Sequence, residues 1–102
     1  MRLIVFFDIP VKTKESRSEA TKFRNYLISD GFYMIQFSVY GRLCNTIENA
    51  IMHEEKLKSY LPISGSVRSM IVTEKQYSTM KILCGEPKRK DKKVLENQIS
   101  FF

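Results

Sequence analysis

Leu3-Ile4-Val5-Phe6-Phe7-Asp8-Ile9-Pro10 is the segment from which the fold can be read. A short, unbroken apolar run rich in Ile, Val and Phe, closed by a proline, predicts a strand buried on both faces. Pro10 has no N–H for a ladder and biases Ile9 towards extended backbone. Asp8 stands out, because Asp is depleted in strands and a buried, unpaired carboxylate is costly. Two readings of it stay open. It caps the following loop through backbone N–H groups, or it is a carboxylate on a rigid element, offered as a hard ligand to Mg²⁺.

Outward from this strand, Thr13 to Asp30 reads as a helix. Thr13 is its N-cap, Glu15 suits the positive end of the dipole, and Gly31 closes it. Ala20, Phe23 and Leu27 recur at i, i+3, i+7 and make its buried stripe. Lys14, Arg17, Lys22 and Arg24 make its other faces basic. Phe32 to Leu43 alternates as a β segment, long enough to be bent or split near Gln36-Phe37-Ser38. Asn45 to Leu61 reads as a second helix, with Asn45 and Glu48 at capping-box spacing and Ile47, Ala50, Ile51, Leu57 and Leu61 as its apolar stripe. Val67 to Thr73 is a strand, Glu74 to Thr79 a short turn or helical piece, and Met80 to Cys84 a short strand. The order β-α-β(β)-α-β, with both helices on one face, predicts an α+β, ferredoxin-like βαββαβ sandwich over residues 1–84.

Residues 85–102 break the pattern with a basic loop, Lys88-Arg89-Lys90-Asp91-Lys92-Lys93, and a terminal segment that regains strand character. Ile99, Phe101 and Phe102 need burial that the core does not offer. The added C-terminal strand joins the edge of its own sheet or, in the favoured reading, a partner's sheet by strand exchange in a dimer.

The 102 residues carry 17 Lys+Arg against 11 Asp+Glu, a net charge of +6. One domain of this size has little room for a deep private cleft, and the basic excess favours an anionic partner, nucleic acid first. No apolar run approaches the roughly 18 residues of a membrane helix. The opening run is too short for a signal peptide. With only Cys44 and Cys84, the expectation is a cytoplasmic protein without disulfides, the cysteines serving as small packing residues. No phosphate loop, zinc spacing or H-E-x-x-H is present. His53, the single histidine, sits in a polar stretch and reads as a surface residue.

Leu3 to Pro10, Gly31-Phe32-Tyr33-Met34-Ile35-Gln36-Phe37-Ser38-Val39-Tyr40 and Val72-Thr73-Glu74-Lys75-Gln76 resemble, in order and spacing, the CRISPR-associated protein two family. That family is the small partner of the CRISPR spacer-acquisition integrase, and the variant most resembled accompanies single large RNA-guided effectors. The resemblance implies a ferredoxin-like homodimer bracketed by integrase dimers, with duplex prespacer DNA lying across it. It also implies Mg²⁺-dependent endonuclease activity on RNA or DNA, with Asp8 from both subunits as catalytic group and metal ligand. Many members carry Tyr before that aspartate, where this chain has Phe7. The favoured function is the DNA-binding scaffold; Mg²⁺-dependent cleavage is second, and a stand-alone ribonuclease toxin third. Lys12, Lys14, Arg17, Lys88, Arg89, Lys90, Lys92 and Lys93 are the candidate phosphate contacts. Ile99, Phe101 and Phe102 are the candidate dimer or partner contacts.

Overall fold

The computed structural model describes residues 1–86. The late basic run (Lys88, Arg89, Lys90, Lys92, Lys93) and Ile99, Phe101 and Phe102 lie outside the described residues. Strand β1 (Arg2–Asp8) is followed by α1 (Lys14–Ser29), β2 (Tyr33–Gln36), β3 (Val39–Leu43), α2 (Ile47–Leu57), a 3₁₀ turn (Lys58–Tyr60), β4 (Ser66–Val72) and α3 (Glu74–Ser78). The fold is mixed α+β, and the described residues form four antiparallel strands in the order β2-β3-β1-β4. The apolar run is thus a central strand, paired on both sides.

Alternation along β1 separates two faces. Leu3, Val5 and Phe7 enter the core with Phe23 and Leu27 of α1 and Ala50 and Leu57 of α2. Phe7 meets Phe23 edge-on, with ring centroids 5.2 Å apart. Arg2, Ile4, Phe6 and Asp8 point the other way. The expectation of burial on both faces fails at the far end: Arg2 and Ile4 are buried, but Phe6 and Asp8 are exposed. Among the described residues, α3 packs on the Arg2 end of this face. The Arg2 guanidinium bonds both Glu74 carboxylate oxygens (2.8 and 3.1 Å) and lies 4.6 Å from the Tyr77 ring centroid.

Helix α1 agrees with its sequence. Thr13 caps it, in a reciprocal box with Ser16, and Ala20, Phe23 and Leu27 are buried. Gly31 leaves it at φ +92°. Helix α2 corrects the expectation twice. It starts at Ile47, so Thr46 and not Asn45 is the cap, its hydroxyl accepting from the Asn49 N–H at 3.0 Å. Its buried stripe is Ala50, His53, Leu57, the same i, i+3, i+7 spacing as in α1, while Ile47, Ile51 and Leu61 are each about half exposed. His53 is buried rather than on the surface because α1 ends opposite it with an acid.

The long β segment splits at Phe37-Ser38, where Ser38 takes φ 65° to close a two-residue link. Met80–Cys84 is not a strand: it pairs with no described strand, and Leu83 is 85% exposed. Cys44 is buried as a packing residue, but Cys84 is exposed, so that reading holds for the first alone. No helix among the described residues is long and apolar enough to cross a membrane.

Candidate nucleic-acid site at the end of the central strand

Cross-strand register assembles the surroundings of Asp8. Asp8 lies opposite Ser66, and Phe6 lies between Arg68 on one side and Val39 on the other. Directly opposed residues and residues two apart share a face, so Asp8, Ser66 and Arg68 project together. With Ser38 they form the polar part of a shallow cleft of about 470 Å³, walled by Phe6, Phe7 and Val39. Among the described residues, the Asp8 carboxylate accepts no hydrogen bond and neither Asp8 nor Arg68 makes an ion pair. The loop-capping reading of Asp8 therefore has no bond to support it here. An acid and a guanidinium thus share one cleft, both exposed.

The backbone around Asp8 is fixed from two sides. Ser38, at the hairpin turn, accepts a hydrogen bond from the Phe7 N–H at 3.0 Å through its carbonyl. Gly65, at φ +100°, passes against the Asp8 carbonyl oxygen, and a Cβ there would run into that oxygen and come within 3.0 Å of the Ile9 Cα. Only glycine meets both demands.

The other predicted site residues fall as follows. Lys12 and Lys14 are exposed and make no ion pair among the described residues, on the loop and first helical turn directly after β1. Arg17 donates to the Val11 and Lys12 carbonyls (3.2 and 3.4 Å) and so holds that basic loop on the helix start. Lysine at a helix N-terminus opposes the dipole, a local cost that a bound phosphate would offset. Arg68, Ser66 and Ser38 were missed from sequence. Their signal is the register of β4 and β3 on β1, which no single strand carries. Arg24 was grouped with the helix charges, yet it lines an adjoining cleft with Ser38, Met34 and Phe37.

No group of three His, Cys, Asp or Glu that could hold a metal exists among the described residues. The donor set at Asp8 is one free carboxylate beside two serine hydroxyls. Mg²⁺ is typically held by one or two carboxylates, with water and substrate phosphate completing its octahedron. Asp8 fits as one such ligand; the described residues do not complete a protein cage around it.

The same sheet face continues as an apolar strip. Ile4 lies opposite Met70 and Gly41, and Arg2 opposite Leu43. Met70 and Leu43 are 48% and 52% exposed and Phe6 37%. A Cβ on Gly41 would come within 2.9 Å of Ile35 Cδ1, so glycine lets the side chains of this face close over the strand.

A family model described as CRISPR associated protein Cas2 matches residues 1–80. The chain is 50% identical to "CRISPR-associated endoribonuclease Cas2" of Acidovorax ebreus, with all of both chains covered. It is 50% identical to the protein of the same name from Ligilactobacillus salivarius, over 84% of this chain and 85% of that one. In structure it resembles Streptococcus pyogenes Cas2, with a TM-score of 0.63 at 16% identity, over 82% of this chain and all of that one. The strand that ends in Asp8, the hairpin turned at Ser38 and the four-stranded sheet thus sit inside a known frame: the chain belongs to the CRISPR-associated Cas2 family.

Proposed function

We propose that this chain is a ferredoxin-like scaffold for CRISPR spacer acquisition, two copies of which form one body that holds prespacer duplex DNA and bridges integrase dimers. The observation that carries the reading is a sheet face exposed among the described residues: apolar at Phe6, Leu43 and Met70, and ending in Asp8 and Arg68, which make no ion pair there. Burying apolar surface contributes about 25 cal/mol per Å², so such a strip favours association. A two-fold pairing through it would bring two Asp8 carboxylates to one site, while the 85–102 segment exchanges strands. Lys12, Lys14, Arg17 and the late lysine run then neutralise phosphates without reading sequence.

The relatives' printed name, endoribonuclease, and the free Asp8 support a second reading, Mg²⁺-dependent phosphodiester cleavage of single-stranded RNA or duplex DNA. When bound, Mg²⁺ supplies Lewis-acid stabilisation of the phosphoryl oxygens and a water activated at neutral pH. Asp8 would hold the ion, Arg68 would take a phosphate oxygen pair in a charge-assisted fork, and the Ser38 and Ser66 hydroxyls would orient the substrate between them.

The test is Met70→Lys, which places a charge in the apolar strip of an already exposed position. Light scattering should show a monomer where the wild type is a dimer, with duplex affinity falling in parallel; an unchanged mass overturns the pairing. For the second reading, Asp8→Ala should abolish Mg²⁺-dependent cleavage, and retained cleavage overturns it.

A further inference from the structure

A second cleft, of about 530 Å³, lies on the helix layer and shares no residue with the Asp8 face. Lys22, Asn25, Tyr26 and Ser29 recur at i, i+3, i+4 and i+7, so α1 presents them as one stripe. Lys56 enters from the last turn of α2, and the 3₁₀ turn after it brings Tyr60.

Tyr60 lies flat on Tyr26, with ring centroids 3.8 Å apart and planes 10° from parallel. Tyr60 is nonetheless 50% exposed. It also lines the cleft, so the stack is reached from solvent. The ring beneath is anchored. The Tyr26 hydroxyl donates to Asp30 Oδ2 at 3.4 Å, and the same carboxylate accepts from His53 Nδ1 at 2.8 Å and Lys56 Nζ at 3.0 Å. Burial and the Asp30 charge push the Tyr26 phenol up to about 12, so the platform stays neutral. Asp30 lines the cleft, but its charge is met by Lys56 and His53. Lys22 is exposed and makes no ion pair among the described residues.

An anchored, solvent-reached aromatic stack beside an exposed lysine has a defined chemistry. Aromatic side chains stack unpaired bases whatever the sequence, and lysines track the adjoining phosphates. A duplex keeps its base faces covered by neighbouring pairs and cannot use the exposed ring. We propose that the Tyr26–Tyr60 stack is a single-stranded nucleic-acid subsite, in which an unpaired base stacks on Tyr60 and Lys22 takes its phosphate. The subsite does not depend on the Asp8 cleft. It gives the helix layer an affinity for strand that is not in duplex form.

The test is fluorescence anisotropy with labelled oligo(dT), the same strand carrying an abasic position, and a blunt duplex. Tyr60→Ala should weaken oligo(dT) binding about 10-fold, within the range seen for removing one stacking aromatic, and leave the duplex unchanged. Tyr60→Phe keeps the ring and should bind as wild type. Lys22→Gln should reduce the salt slope on the single strand by about 0.7, the value for one phosphate contact. The abasic strand should lose affinity for the unmodified protein, a comparison that no folding defect affects. Equal binding of oligo(dT) by wild type and Tyr60→Ala, equal loss on the duplex, or indifference of the wild type to the abasic position would overturn the proposal.

Discussion

Replacing Asp30 with Ala should be among the most damaging single changes outside the apolar core. Asp30 caps α1 with its backbone, which the substitution keeps: its N–H still reaches Tyr26 and its carbonyl still accepts from Arg42 Nε at 2.6 Å. Only the carboxylate is lost. Its side chain is 5% exposed and that of His53 8%, so the orphaned imidazole stays away from water. Leaving one buried polar group unsatisfied costs about 1–3 kcal/mol. Lys56 is half exposed and rehydrates at little cost, and the 3.4 Å bond from Tyr26 adds little. The sum is about 2–3 kcal/mol, which in a domain of this size lowers Tm by about 10–20 °C. Urea denaturation followed by circular dichroism, at pH 7 and one fixed protein concentration, measures it. His53→Leu in the Asp30→Ala background should recover part of the loss, with a coupling of at least about 1 kcal/mol. A loss under about 0.5 kcal/mol, or strict additivity of the two changes, would refute the view that this pair locks α2 onto the end of α1.

Gly65→Ala should destabilise by about 1–3 kcal/mol, from a strained positive φ and a collision with the Asp8 carbonyl; a melting curve equal to wild type would contradict it. Hydrogen bonding from Arg2 holds the Glu74 carboxyl below its ordinary value against the opposing effect of burial. A depressed carboxylate contributes stability above its unfolded pKa of about 4.3 and loses it as pH falls through the lower folded value. The stability gap between wild type and Glu74→Gln should therefore be full at pH 6–7 and close below about pH 4; a gap that widens towards acid in urea melts would refute the assignment. Duplex affinity should fall steeply with salt, and Lys12→Gln and Lys14→Gln should each flatten the log–log slope by about 0.9; unchanged slopes in a titration from low to high salt would remove both from the contact surface.

Much of this was legible in the sequence, and the failures share a cause. Thr13, the Ala20–Phe23–Leu27 stripe and Gly31 fix α1 through spacings of a few residues, and the apolar run fixes β1. His53 sits in a polar stretch, and its burial depends on an acid 23 residues earlier that no local pattern carries. The α2 cap moved by one because Asn45 and Thr46 are both good caps, and the helix start chose between them. The hairpin at Phe37-Ser38 lacks the Asn-Gly or Gly-Gly signature, since Ser38 supplies the positive φ. Asp8 could be singled out as an acid at the end of an apolar strand. Arg68, Ser66 and the Gly65 crossing could not, because they reach Asp8 only through the register of β4 on β1.

The proposed role of two copies of this chain is a scaffold in spacer acquisition, separate from any cleavage at Asp8. Spacer integration in vitro, with the partner integrase, prespacer duplex and an acceptor array, tests it most directly when wild type and Asp8→Ala are compared as intact complexes. Asp8→Ala should integrate spacers at the wild-type level. Loss of integration with the dimer and the complex intact would contradict it.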